Sequence, residues 1–203
     1  MNPPFDADAF ERLFARDDDP WAFATRWYEA RKRALTLACL PAPRYAQAFE
    51  PACANGLLTA ELAARCDRLL AVDVSARAVE LTRDRIGGAA HVELRVMAVP
   101  ERWPAPDRRF DLIVLSEFGY YLDAARLRRL AELTRASLSP TGVVVACHWR
   151  HPIEGCPLRG DEVQRRLDAG LRLPRSCAID DADFRLDVWS ADSASPARRE
   201  GLV

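Results

Sequence analysis

The sequence predicts an α/β sandwich built on a mostly parallel sheet, and three observations carry that prediction. Short apolar runs alternate with segments of helical period along the 203 residues, the pattern of strands joined by crossover helices. Two of the runs end in an acid, Glu50 and Asp73. Between them lie the turn Pro51-Ala52-Cys53-Ala54-Asn55-Gly56 and the helical stretch Leu57 to Cys66. The last two runs, Leu171 to Ala178 and Phe184 to Trp189, meet across Asp180-Asp181-Ala182-Asp183 as an antiparallel pair.

The stretch from Phe49 to Ser75 is the organising βαβ unit. A right-handed crossover puts both strand ends at one edge of the sheet, with the turn open to a ligand. Asp73 follows Glu50 by 23 positions (73 − 50) and sits where nucleoside-binding folds hold ribose hydroxyls. The plainer alternative is a pair of solvated acids at strand ends.

Composition narrows the class. The length suits one domain with a substantial core. Lys plus Arg (29) and Asp plus Glu (30) nearly cancel, and no block of like charge occurs, so neither nucleic acid nor a membrane surface is an expected partner. The six cysteines show no Cys-x-x-Cys spacing and no His-x-x-x-His partner, so no metal site is expected. Acids and prolines in Met1-Asn2-Pro3-Pro4-Phe5-Asp6 argue against a signal peptide. No apolar run approaches the roughly 20 residues of a membrane span. A soluble, cytoplasmic, thiol-reduced protein is the expectation.

Asp6 to Arg16 reads as a short helix with Phe10, Leu13 and Phe14 on one face, broken by Asp17-Asp18-Asp19-Pro20. Trp21 to Leu40 reads as a longer helix in which Trp21, Trp27 and Tyr28 alternate with Arg26, Arg31, Lys32 and Arg33. Either it packs on the sheet, or it is a lid whose aromatics and cations cover a ligand. Pro41-Ala42-Pro43 ends it. Beyond the βαβ unit, Ser75 caps a helix that runs to Ile86 and stops at Gly87-Gly88. His91 to Val96 alternates as a third strand, and Ala98 to Arg109 is a loop.

Phe110 to Leu115 is a fourth strand, apolar enough for burial on both faces, that runs into Ser116-Glu117-Phe118-Gly119-Tyr120-Tyr121-Leu122. Ala124 to Leu138 is an amphipathic helix. Ser139-Pro140-Thr141-Gly142 then turns into a fifth strand, Val143 to Cys147, which delivers His148-Trp149-Arg150-His151. Gly160 to Ala169 is a last helix, and the chain from Ser190 reads as a frayed polar tail. The division is a helical lid (1–45), an α/β core (46–190) and a tail (191–203). Glu50, Asp73, Ala98, Ser116, Glu117 and His148 all map to the carboxyl edge of the sheet, where such folds bind ligands.

A dinucleotide turn needs several glycines, yet only Gly56 is present, and no Gly-Lys-Ser/Thr phosphate loop occurs. S-adenosylmethionine fits better: its ribose suits Asp73, and its ammonium and sulfonium suit carboxylates and aromatic faces.

These residues resemble a known family. Asp19-Pro20-Trp21, Tyr28-Glu29-Ala30-Arg31, Glu50 to Gly56, Val72-Asp73-Val74 and Phe110 to Glu117 with Tyr120-Tyr121-Leu122 look like the NodS-like (nodulation protein S) group of class I S-adenosylmethionine-dependent methyltransferases. The resemblance implies a Rossmann-like, seven-stranded sheet with a reversed last strand. It also implies N-methylation of the free amino group of a deacetylated chitooligosaccharide, as in the family's namesake. By position, it implies that Trp21 and Arg31 clamp the methionine end of the cofactor, Glu50 and the loop from Ala52 to Gly56 border it, and Asp73 holds the ribose. Val74, Ala98 and Val99 would flank adenine, with Ser116 and Glu117 near the sulfonium. Alanine stands at 52 and 54 where the family pattern usually has glycine or serine, and at 98 where it often has an aspartate that accepts from the adenine amino group; losing that hydrogen bond costs about 0.5–1.5 kcal/mol.

An ammonium acceptor must lose a proton before it attacks. His148 or Glu117 is the expected acceptor of that proton, with Tyr120 and Tyr121 orienting the amine. Trp27, Tyr28, Trp149, Arg150 and His151 are expected around the acceptor. Oxygen or carbon methylation, and a degenerate cofactor-binding subunit without activity, remain alternatives.

Overall fold

The computed structural model describes residues 5–192 and 194–203; the start of the expected lid, 1–4, lies outside them. The chain runs α1 (Ala7–Arg16), α2 (Trp27–Ala38), β1 (Ala48–Pro51), α3 (Leu57–Ala63), β2 (Leu69–Asp73), α4 (Ala76–Ile86) and β3 (Val92–Val96). It continues through β4 (Phe110–Ser116), a 3-10 turn (Gly119–Tyr121), α5 (Ala124–Ser137), β5 (Leu138–Trp149), α6 (Gly160–Leu171), β6 (Arg175–Asp180), β7 (Phe184–Ser190) and α7 (Pro196–Arg199). One seven-stranded sheet has the order β3-β2-β1-β4-β5-β7-β6. β1 pairs in parallel with β2 and β4, β4 with β5, and only β7 runs antiparallel to its neighbours.

Strand alternation builds two cores. Ile113 and Leu115 of β4 face one layer with Leu127, Leu130 and Leu167, while Leu112 and Val114 face the other with Leu62 and Leu69. Both faces of β4 are therefore dry, as its continuous apolar run requires. The strand order reverses between β1 and β4, and the crevice beyond their carboxyl ends is the switch point where such sheets bind ligands.

Four boundaries differ from the sequence expectation, each for a local reason. The helix expected from Trp21 begins at Trp27. Asp19 takes the N–H groups of Phe23 (2.8 Å) and Ala24 (2.9 Å) on its two carboxylate oxygens, and Ala22 has φ 58°, which no right-handed helix contains. Leu171 belongs to α6 rather than to a strand, because Val163, Leu167 and Leu171 share its buried face, and the helix stops at left-handed Arg172. Ser139 to Gly142 forms an irregular stretch inside β5, where the register shifts between Phe110 and Leu112 of the partner strand. The tail carries α7, capped where Ser195 accepts the Arg198 N–H. Among the described residues no helix is long and apolar enough to cross a membrane.

Candidate active site

A cavity of about 610 Å³ opens at the carboxyl edge of the sheet. Its floor comes from strand ends and its roof from the N-terminal segment. Glu50 at the end of β1, Asp73 at the end of β2, Val74, Ala98, Val99, Ser116 and Glu117 all reach its wall, as do Trp21, Tyr28 and Trp149.

The β1–β2 side is built from local chemistry. Ala52 and Ala54 take φ 58° and 51°, the left-handed region that costs a residue with a Cβ roughly 1–2 kcal/mol. Asp73 accepts the backbone N–H of Ala54 (2.9 Å) on one oxygen and that of Ser75 (3.0 Å) on the other. Burial raises the carboxyl of Asp73, and these backbone bonds offset part of the rise. A carboxylate oxygen accepts more than one hydrogen bond, and Asp73 lines the cavity. Among the described residues Glu50 has no cation: its Oε2 is buried with no hydrogen-bond partner, and burial pushes it up to about 8.

An orphaned buried carboxylate oxygen beside the cavity fits the charged methionine end of S-adenosylmethionine, and Asp73 fits a ribose diol. Gly56 is not on the wall; it starts α3 at φ 77°, and a Cβ there would meet Thr82 Cα at 2.8 Å. It serves the packing of α3 on α4 rather than bordering a ligand.

The roof is latched to this loop. Asn55 donates from Nδ2 to Asp19 Oδ1 (3.0 Å), so the Asp19-Pro20-Trp21 turn and the turn after β1 hold each other. Trp21 stacks on Phe23 (5.3 Å) and meets Phe14 edge-on (5.6 Å). Glu11 of α1 accepts from the Ser75 hydroxyl (2.7 Å), closing the N-terminal segment over α4.

The β4–β5 side is built from tertiary pairing. Glu117 follows β4 at φ 58°. Its Oε2 accepts from the Tyr120 hydroxyl (2.7 Å) and the Trp149 N–H (3.1 Å), and its Oε1 faces Lys32 Nζ at 2.8 Å. Burial alone would raise this carboxyl, but Lys32 and Tyr120 hold it below the usual carboxylate range. Lys32 is the only lysine in the sequence. It is buried, pairs also with Glu29 Oε2 at 3.0 Å, and lies 5.0 Å over the Tyr28 ring. Burial works against its charge, yet Glu117 and Glu29 together raise it. Glu29 is pushed up by burial, with Lys32 opposing.

Several expected residues lie elsewhere. His148 is fully buried and absent from the wall; its Nε2 accepts the Gly119 N–H (3.2 Å), and its ring sits against Tyr120. Burial lowers it to about 4, so it is a neutral brace for the turn carrying Glu117 to Tyr121, not a base facing a substrate. Arg31 turns from the cavity to Asp181 (2.8 Å) and Phe184, so it is not placed to clamp a ligand there. Arg26 and Arg33 of the same segment reach the wall instead. Trp27 is 78% exposed and off the wall. Arg150 pairs with Asp161 and Asp180, and His151 with Asp183, also outside the cavity. Tyr121 does line it, with Phe10 edge-on at 5.0 Å.

Sequence alone assigns no site role to Glu29, Lys32 or Asp19. The signal for Lys32 was present: a lone lysine among arginines, three positions after an acid on one helix.

Comparison with known proteins adds the lineage. The family model described as Nodulation protein S (NodS) matches residues 7–150. This chain belongs to the nodulation protein S family. It is 35% identical over 130 residues to nodulation protein S of Rhizobium tropici, covering 63% of this chain and 54% of that protein. It is 34% identical over 131 residues to the Sinorhizobium fredii protein, covering 63% and 59%. The chain thus spans little more than half the length of these NodS relatives.

Among solved structures, a candidate methyltransferase from Pseudomonas syringae is 48% identical, with a TM-score of 0.71 over 81% of this chain and 99% of that one. The N-methyltransferase NodS from Bradyrhizobium japonicum WM9, solved with S-adenosyl-L-homocysteine, has a TM-score of 0.77 at 24% identity, covering 91% and 97%. That likeness shows the class I methyltransferase fold.

Proposed function

We propose that this protein transfers a methyl group from S-adenosylmethionine to the nitrogen of a small amine, with a deacetylated amino sugar as the acceptor class. The observation that carries the reading is one cavity with two differently prepared acid sites. Glu50 and Asp73 stand on one side with no cation among the described residues, and Glu29 and Glu117 stand on the other around Lys32. Family membership supports it, as does the S-adenosyl-L-homocysteine bound in the Bradyrhizobium relative.

In this reading Asp73 holds the ribose, Val74, Ala98 and Val99 border adenine, and Glu50 receives the ammonium of the methionine end under Trp21. When bound, the cofactor supplies an electrophilic methyl on a positively charged sulfur. The chain's own residues do the rest. Trp21, Phe14 and Phe23 exclude water from the roof, and the wall around Tyr28, Tyr120 and Trp149 orients the nitrogen. Holding the nitrogen in line is the main catalytic effect.

The test is product mass after incubation with methyl-labelled S-adenosylmethionine and a panel of glucosamine, N-acetylglucosamine and simple alcohols. Label on glucosamine nitrogen is expected. Label on an oxygen or carbon, or on nothing, contradicts the proposal.

A further inference from the structure

The cavity wall leaves one question that the expected bases do not answer: where the amine proton goes. His148 is sealed behind Gly119 and Tyr120. Glu117 already holds three partners, Tyr120, Trp149 and Lys32, all of which favour its ionised form. Glu29 differs: its only side-chain partner among the described residues is Lys32, and its carboxylate lies on the same wall.

Two carboxylates, Glu29 and Glu117, around one ammonium leave a net charge of −1 on the stretch of wall they share with Tyr28, Tyr120 and Trp149. The other charges near Glu29 do not cancel it. Arg33 is turned to Glu61 and to the Phe23 carbonyl, and Arg26 is exposed at the start of α2. Arg126, across the cavity, is paired with Glu101. Tyr28 on the same helix, Cys147 on β5 and His148 stand close by as neutral groups, each held uncharged by burial. The Tyr28 hydroxyl is buried with no partner among the described residues, an open hydrogen-bonding position beside the cluster.

Resting on the amine-methylation reading above, we infer that Glu29 is the acid–base residue of the acceptor site, that Lys32 positions it against Glu117, and that the acceptor arrives as an ammonium ion. The proton passes from nitrogen to a Glu29 oxygen. The N–H electron pair stays on nitrogen as the lone pair needed for attack, and the proton goes to water when Glu29 ionises again. Burial raises Glu29 against the opposing pull of Lys32, whereas Lys32 and Tyr120 hold Glu117 the other way. The one excess negative charge also selects against neutral hydroxyl acceptors, which gain nothing from it.

The experiment has a binding arm and a rate arm. Glucosamine and N-acetylglucosamine are titrated calorimetrically into protein saturated with S-adenosylhomocysteine. At pH 6, glucosamine is expected to bind at least about tenfold more tightly, the size of one charge-assisted hydrogen bond. Glu29→Gln is expected to lose that preference while keeping its affinity for S-adenosylhomocysteine, which also reports its folding. In the rate arm, Glu29→Gln is expected to lose about 10²-fold in turnover at pH 6. The loss should shrink to a few-fold at pH 9, where the amine is already neutral in solution, and Glu29→Asp should retain part of the activity.

Equal binding of the two sugars to the wild type, a loss that does not change with pH, or no loss at all would overturn the inference. The first of these needs no variant. If the wild type methylates glucosamine and Glu29→Gln matches it at pH 6, only this inference falls. If the wild type methylates no amine, the functional reading falls and takes the inference with it.

Discussion

Glu50 and Glu117 both line the cavity, the first buried and the second half-buried, yet their chemistry is opposite. Glu50 ends β1 with an unpaired oxygen and no cation, and burial keeps it protonated up to about 8. Glu117 follows β4 with Lys32, Tyr120 and the Trp149 N–H around it, and it stays ionised below the usual range. The same side chain at equivalent places in the sheet is set by what the fold brings to it. Glu50 is poised for a cation the protein does not supply; Glu117 has its cation built in.

The largest expected effect comes from removing that built-in cation. Lys32→Met leaves Glu29 and Glu117 facing each other, and breaking a buried pair costs about 3–5 kcal/mol. Thermal unfolding at pH 7 should drop by roughly 10 °C. The drop should shrink below about pH 4.5, because a carboxylate whose folded value is depressed contributes stability only above its titration range. An unchanged midpoint would mean that the ion pair does not separate the two acids.

The second effect belongs to Glu50. Its folded value lies above the usual 4.5, so its proton stabilises the ligand-free fold at low pH, and that contribution is lost as pH rises toward about 8. A cationic ligand binds the ionised form. Affinity for S-adenosylhomocysteine should therefore rise up to about tenfold per pH unit between pH 6 and 8 and level off above. Calorimetry across that range checks it, and a flat profile would contradict the contrast. Glu50→Gln should flatten the profile.

A smaller effect tests the brace behind Glu117. His148→Ala should cost about 1–3 kcal/mol by leaving the buried Gly119 N–H without its acceptor, measured by denaturant unfolding. The pH dependence of turnover should keep its shape, since a ring titrating near 4 supplies no group near neutrality. Loss of an acid limb would return His148 to the role of base. The smallest effect lies in the turn after β1: Ala54→Gly should change stability by less than about 1 kcal/mol, as relief at φ 51° opposes the added freedom of the unfolded chain.

The contrast also explains what the sequence allowed one to read. The β1–β2 side is local: an acid at each strand end, a small-residue turn and a helix between them place Glu50 and Asp73 without any long-range contact. The alternation of strands with helices and the closing hairpin are legible in the same way. The β4–β5 side depends on residues far apart in sequence, so Lys32 reads as one cation among several on a helix, and the family resemblance gives the ligand to Arg31, one position earlier. Helical geometry turns those neighbours to different faces, one to Glu117 and one to Asp181. His148 lies at the right edge of the sheet, but Gly119 approaches it closely enough to seal its ring: a Cβ there would meet His148 Nε2 at 2.8 Å. Spacing does not encode such a contact.

The central claim is that a carboxylate at the end of β2 holds a nucleoside in this cavity. Calorimetric titration of S-adenosylhomocysteine into the wild type and Asp73→Ala tests it most directly. Micromolar binding by the wild type, lost in the variant, is the predicted result. No binding by the wild type, or equal affinity in both, would contradict it.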